Sequence, residues 1–127
     1  MQQLLDTHAF IWFIMGDPRI SNNLRNQIEN NDNCLSIASV WEMAIKHSIG
    51  KLSFNLNFSE FVEQQIIMNG IQLVNIKIEH ILAVSQIPLH HRDPFDRMLI
   101  AQAIVENIPV LSADTIFDAY PIQRLWS

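Results

Sequence analysis

Apolar positions along this chain follow a repeating alternation, in which a short unbroken apolar run precedes a longer stretch with apolar residues at helical spacing. Gln2–Leu5 reads as a first strand, and Thr7–Met15 as a helix closed by Gly16, Asp17 and Pro18. Ser21–Asn31 reads as a second helix, with Ser21 as N-cap and Leu24 and Ile28 on one face. Cys34–Ile37 is a short buried strand, after which Ser39 opens a helix to Ile49 that Gly50 ends. Ser59 caps a helix running to Met68, and Asn69-Gly70 stops it. Ile71–Ile76 is a strand and Glu79–Gln86 a helix; the polar loop Leu89–Arg92 then leads into Asp93-Pro94 and a helix to Asn107. Pro109–Leu111 is a strand, Thr115–Ala119 a short helix and Ile122–Leu125 a final edge strand.

Short strands alternating with helices predict an α/β fold: a short, mostly parallel central sheet with helices on both faces, three layers in all. Such sheets place their chemistry at the carboxyl ends of the strands. The residues there are Asp6, the segment Ser39–Glu42 and the segment Ser112–Asp114, while Asp93 and Asp96 open a helix that starts on the same side.

At 127 residues the chain is a single domain, and with 49% apolar against 17% charged residues it can bury a core. Eight Lys plus Arg against 13 Asp plus Glu leave a net charge of -5. A nucleic-acid binder relying on blanket electrostatics would be basic, so contact with a polyanion has to be local or lent by metal ions. The lone Cys34 reads as a small buried hydrophobe in a reducing compartment. The opening MQQLLD has no basic region ahead of Asp6 and is not expected to act as a secretory leader. The longest all-apolar stretch, Ala9–Met15, is far short of the roughly 20 residues of a membrane span, so the expected location is cytoplasmic, away from membranes.

Each acid near the sheet edge has a structural explanation. Asp6 and Asp114 precede helices and suit N-caps, Ser39 and Glu42 fit a capping box, and Asp93-Pro94-Phe95-Asp96 is a helix start in its own right. Capping is served equally well by Ser or Asn, however, and the chain uses Ser elsewhere. Several carboxylates gathered at one edge repel one another unless something cationic neutralises them. An all-oxygen donor set on rigid elements favours Mg²⁺ or Mn²⁺, one ion or two, over Zn²⁺.

LLDTHAFIW, SVWEMAIK, HRDPFDRMLIAQA and LSAD, with the closing YPIQRLW, resemble in order and interval the acidic motifs of PIN-domain ribonucleases, and more narrowly of VapC-type toxins of bacterial toxin–antitoxin pairs. The resemblance covers nearly the whole chain. It implies a single PIN-like domain and makes Asp6, Glu42, Asp96 and Asp114 the metal-binding acids, with Ser112 as the hydroxyl paired with the fourth. Asp93 competes with Asp96 for the third role; Asp96 is favoured because it heads the DRMLIAQA helix, which leaves Asp93 as the cap. Many members carry Asn two residues after the first acid, where this chain has His8.

The activity implied is metal-dependent endonucleolytic hydrolysis of RNA, in which divalent ions activate water and neutralise the leaving oxygen. Substrate positioning would fall to Lys46, Arg92 and Arg97 with Thr7 and Ser112, joined by His90 and His91. Lys46 also sits four residues after Glu42, at ordinary ion-pair spacing. Adjacent histidines on a loop usually point different ways, which argues against a zinc site at His90-His91.

Ala9–Met15 is apolar all round, so one side should fill the core and the other, with Trp12 and Phe13, should form an exposed patch for a partner. The resemblance names two candidates, a second copy of the chain and a cognate antitoxin whose tail packs beside the acids, where Trp41 is a candidate lining residue. A catalytically silent PIN-like binding scaffold and a DNA-directed metal nuclease stay open as alternatives. A phospho-receiver lacks its late Lys, a haloacid-dehalogenase phosphatase lacks its second Asp at position 8, and there is neither a GxxxxGK[ST] loop nor a GxSxG elbow.

Overall fold

A computed structural model describes residues 1–127. Five strands form one sheet: β1 (Gln2–Leu5), β2 (Asp32–Ser36), β3 (Gln72–Val74), β4 (Val110–Leu111) and β5 (Arg124–Leu125), in the order β3-β2-β1-β4-β5. Every pairing is parallel, so the sheet is parallel throughout rather than mostly so. The helices are α1 (Thr7–Ile14), α2 (Asn22–Glu29), α3 (Ile37–Ser48), α4 (Phe58–Val62), α5 (Ile78–Gln86) and α6 (Pro94–Glu106), with a π-helical turn Glu63–Ile67 extending α4 and a 3₁₀ turn at Thr115–Ala119. No helix is long and apolar enough to cross a membrane.

The period of two along each strand sorts the core into two layers. Leu4 pairs in register with Cys34 and Val110, and these turn to one face, packing with Leu99, Ile100 and Ala103 of α6 and with Phe117 and Tyr120. Leu5, in register with Leu35 and Leu111, faces the other way into Ala9 and Phe10 of α1, Leu24 and Ile28 of α2, Met43 of α3 and Phe61 of α4. Each fully buried large side chain contributes about 1.5–3 kcal/mol, so the unbroken apolar run of β1 is what welds both layers to the middle of the sheet.

Helix starts follow local chemistry. Ser21 accepts the Leu24 amide as α2's N-cap, and Asp93 accepts the Phe95 and Asp96 amides as α6's, with Pro94 in the first turn. Two starts differ from the sequence expectation. Ser36, not Ser39, caps α3: its extended backbone ends β2 and its hydroxyl accepts the Ala38 amide, so Ile37 and Ala38 are already helical. Asn57, not Ser59, caps α4 by accepting the Glu60 amide. Gly50 follows α3 with φ +77°, a conformation that favours glycine. The expected thiol burial is seen at Cys34.

Trp12 and Phe13 are not the bare patch expected of α1. The Arg19 guanidinium lies 4.4 Å from the Trp12 ring centre, Trp126 packs edge-on against the same ring, and Arg25 covers Phe13 at 4.9 Å. Cations and the C-terminal aromatic thus cover a face that apolar patterning alone leaves open. Of the stretch Ala9–Met15, Met15 is exposed, and further exposed apolar side chains include Trp41 and Ile45 on α3, Ile49 just after it, and Ile78, Ile81 and Leu82 on α5.

Candidate metal centre

In sheet order, β1 stands between β2 and β4, so the chain winds outward to β3 and then returns to the other side of β1. The order reverses beside β1, and a crevice opens outside the carboxyl ends at such a point. Asp6 follows β1 directly; Ser112 and Asp114 follow β4.

Asp6 is nearly buried and is α1's N-cap, its Oδ1 accepting the Ala9 amide at 2.7 Å. Burial raises its pKa above the ordinary carboxylate value, and the charge of Asp114 adds to the rise. The neighbouring Ser112 hydroxyl, the Ala9 amide and His8 pull the other way. Glu42 lies inside α3 on its buried face, not in a capping box. Its Oε1 is 2.9 Å from Thr7 Oγ1 and its Oε2 is 2.9 Å from Lys46 Nζ. Thr7 Oγ1 is also 2.8 Å from Ser39 Oγ; with one proton, it donates to the carboxylate and accepts from Ser39.

Asp96, in the first turn of α6, has its carboxyl pushed up to about 7, first by burial and then by the charge of Asp93, with smaller contributions from Asp6 and Glu42; nearby His91 opposes the rise. Asp114 caps the 3₁₀ turn through Oδ1, which accepts the Ile116 amide. Its Oδ2 is 2.9 Å from His91 Nε2, which is also 3.1 Å from Asp96 Oδ2. Asp96 is thus within electrostatic reach of Asp6 and Glu42, and Asp6 of Asp114; Asp96, Asp114 and His91 bring donor atoms within 4.8 Å of one another, and Asp93 is the cap.

The expected substrate-positioning residues part ways. Thr7 and Ser112 are buried: the Thr7 hydroxyl serves Glu42, and Ser112 Oγ accepts the Asp114 amide beside Asp6. Arg97 donates to the carbonyls of Val84, Ile87, Pro88 and His91 at 3.0–3.3 Å, clasping the α5–α6 loop instead of offering a rim cation. Lys46 is held by Glu42. Arg92 is exposed and forms neither an ion pair nor a side-chain hydrogen bond. The two histidines point apart: His90 is exposed against the Tyr120 ring, while His91 is buried among the acids.

A sequence model of the PIN domain matches residues 4–123. The chain belongs to the PIN domain family. A comparison with curated proteins found no match. Among solved structures, this PIN domain is similar to VapBC2 from Rickettsia felis bound to a DNA fragment from their promoter (TM-score 0.73, 14% identity, 98% of each chain covered). DNA-bound VapBC from Salmonella typhimurium is comparable (TM-score 0.73, 17% identity, 98% of this chain and 97% of that one). So is FitAcB from Neisseria gonorrhoeae (TM-score 0.72, 17% identity, 98% and 96%). At these identities the likeness is one of fold, and it spans the whole α/β/α layer.

The donor chemistry of the pocket suits the divalent cations that PIN domains generally use. The acids after β1, on α3, on α6 and after β4 lie within electrostatic reach, and burial first, with smaller contributions from neighbouring carboxylates, raises Asp6 and Asp96 above the ordinary carboxylate value, a cost that a bound cation would offset. An apolar cavity of about 270 Å³ is lined by Ala38 and Trp41 of α3, Ile76, Val84 of α5, and Pro94, Phe95 and Met98 of α6. Trp41, 59% exposed, meets Phe95 edge-on; the two rings neighbour Glu42 and Asp96 in sequence.

Proposed function

We propose that this PIN domain is a Mg²⁺- or Mn²⁺-dependent endoribonuclease and the toxin of a bacterial toxin–antitoxin pair, acting in the cytoplasm. The observation that supports the reading is Asp96 and Asp114 brought within 4.8 Å at the switch point of the sheet, with Asp6 and Glu42 within electrostatic reach of Asp96. Asp6, Asp96 and Asp114, with Glu42 alongside, would hold one or two ions. When bound, such ions supply water activation and charge neutralisation at a scissile phosphodiester.

The chain's own residues set the geometry. The Ala9 amide fixes Asp6, and the Thr7 hydroxyl and Lys46 ammonium fix the two oxygens of Glu42. Arg92, exposed and unpaired beside Asp93, is the cation best placed to meet a phosphate of the RNA. Lys46 has a share in that role only when Glu42 releases it. Hydrolysis by water leaves a 5′-phosphate and a 3′-hydroxyl.

The toxin assignment rests on the VapC-type motifs together with fold neighbours that are VapBC and FitAB complexes. The apolar cavity at Trp41 and Phe95 suits an antitoxin side chain anchored next to the acids, and the exposed α3 and α5 faces suit a homodimer contact. The test is cleavage of labelled RNA and of DNA of matching sequence with Mg²⁺, Mn²⁺ or EDTA, comparing wild type with Asp6→Asn. Asn caps helices well, so the variant should fold and lose cleavage. Activity in EDTA, 2′,3′-cyclic phosphate products or a folded, fully active Asp6→Asn would refute the mechanism. Cleavage of DNA alone would move the substrate class.

A further inference from the structure

His91 lies where the two outer acids meet, and a ring nitrogen within reach of two carboxylate oxygens invites reading it as a third metal ligand alongside Asp96 and Asp114. Its other nitrogen argues otherwise. His91 Nδ1 accepts the Asp93 amide at 3.2 Å, so the ring's single proton is on Nε2, between Asp114 Oδ2 at 2.9 Å and Asp96 Oδ2 at 3.1 Å. A ligating Nε2 would leave both nitrogens without a proton. Metal-ligating histidines ordinarily donate their second N–H to an acceptor, and here the second nitrogen faces a donor.

The ring is also fixed from every other side. The His91 amide donates to Tyr120 Oη at 2.7 Å, Tyr120 Oη donates to Pro88 O at 2.7 Å, Arg97 holds the His91 carbonyl, and Phe117 packs against the imidazole. Two acids from different elements, α6 and the loop after β4, thus share one donor whose position neither of them sets.

We propose that His91 is a positioning residue, an Nε2–H donor that locks Asp96 and Asp114 into a pair ready for a divalent cation, and that it is not itself a ligand. The proposal rests on the metal-site reading above and specifies which side chain organises that site. Oδ2 of each acid faces His91, while Asp114 Oδ1 is held by the Ile116 amide, so both carboxylates are fixed in orientation.

The test uses Mn²⁺ as probe on the full chain. In metal-free protein, ¹H–¹⁵N correlation of the imidazoles should show His91 as the Nε2–H tautomer. Pulsed EPR of the Mn²⁺ complex should show no nitrogen coupling that disappears in His91→Gln. By calorimetry, His91→Ala should bind Mn²⁺ on the order of 10–100-fold more weakly. His91→Gln, which keeps an amide N–H at similar reach, should recover part of that loss, with circular dichroism confirming that both variants fold. A bonded-nitrogen signal abolished by His91→Gln, a Nδ1–H tautomer, Mn²⁺ affinity unchanged in folded His91→Ala, or His91→Gln no better than His91→Ala would each overturn the proposal while leaving the metal centre standing. Failure of wild type to bind Mn²⁺ at all would overturn both.

Discussion

Replacing Asp96 with Asn should stabilise the metal-free protein while abolishing its activity. The Asp96 carboxyl is pushed from 3.8 to about 7, so between those values the native state keeps a proton that the unfolded chain has released. Stability depends on pH through the difference in protons bound, and here the native state binds more, so stability falls as pH rises. The contribution is complete below the unfolded value and lost once pH passes about 7. At about 1.4 kcal/mol per pH unit the limit is about 4 kcal/mol, and partial exposure of the side chain (23%) with solvent relaxation brings the expectation to about 2–4 kcal/mol. Asp6, raised for the same leading reason, adds in the same direction. Asp17 and Glu106 have lowered values, held down by Arg19 and His80 respectively. Their contributions appear as pH rises through the ordinary carboxylate range and are complete above it, so they do not mask the effect.

Urea denaturation in EDTA from about pH 5 to about pH 8 reads this directly. Wild type should lose stability across the range, Asp96→Asn should lose much less, and the variant should be the more stable of the two at the alkaline end. Adding Mg²⁺ at about 100 times its Kd should return about 2.7 kcal/mol to wild type. Parallel pH profiles, or an Asp96→Asn variant less stable than wild type above neutral pH, would show that the acids are not in electrostatic conflict and would remove the argument for a cation among them.

Arg97→Ala should destabilise by about 3–5 kcal/mol in urea melts, because four carbonyls around the α5–α6 loop lose a charged donor. Arg97→Lys should recover less than half of that, since an ammonium lacks the planar fork. Tyr120→Phe should cost about 1–3 kcal/mol by the same assay, as it leaves the buried His91 amide without its acceptor, while the Pro88 carbonyl keeps Arg97. Arg92→Ala should raise KM for RNA several-fold with kcat and thermal stability unchanged, because the exposed side chain forms no ion pair or hydrogen bond within the protein; an unchanged KM would remove it from substrate binding.

Much of this architecture is legible in the chain because its signals are local. The apolar runs at Leu4-Leu5 and Val110-Leu111, the Ser21 cap and the Asp93-Pro94 start each declare an element without reference to a partner. The errors arise where a local signal has two solutions. Ser36 and Ser39 are both plausible caps, and tertiary packing decides by burying Ser39 against Thr7. At the site, the four acids could be nominated from strand ends and motif order, but the duties of the residues around them could not. Arg97 looks like a surface cation until the α5–α6 loop folds its carbonyls toward it. Thr7 looks available until α3 brings Glu42 to its hydroxyl. His91 stands two residues before Asp93 in a polar loop, and only the long-range approach of Asp114 and Tyr120 reveals its place.

The most direct test of the account is anomalous diffraction from crystals soaked in MnCl₂ near neutral pH. The account predicts a manganese peak bounded by the carboxylates of Asp6, Asp96 and Asp114, with Glu42 alongside and His91 Nε2 outside bonding distance. Manganese bound only elsewhere, with that pocket left empty at saturating metal, would contradict it.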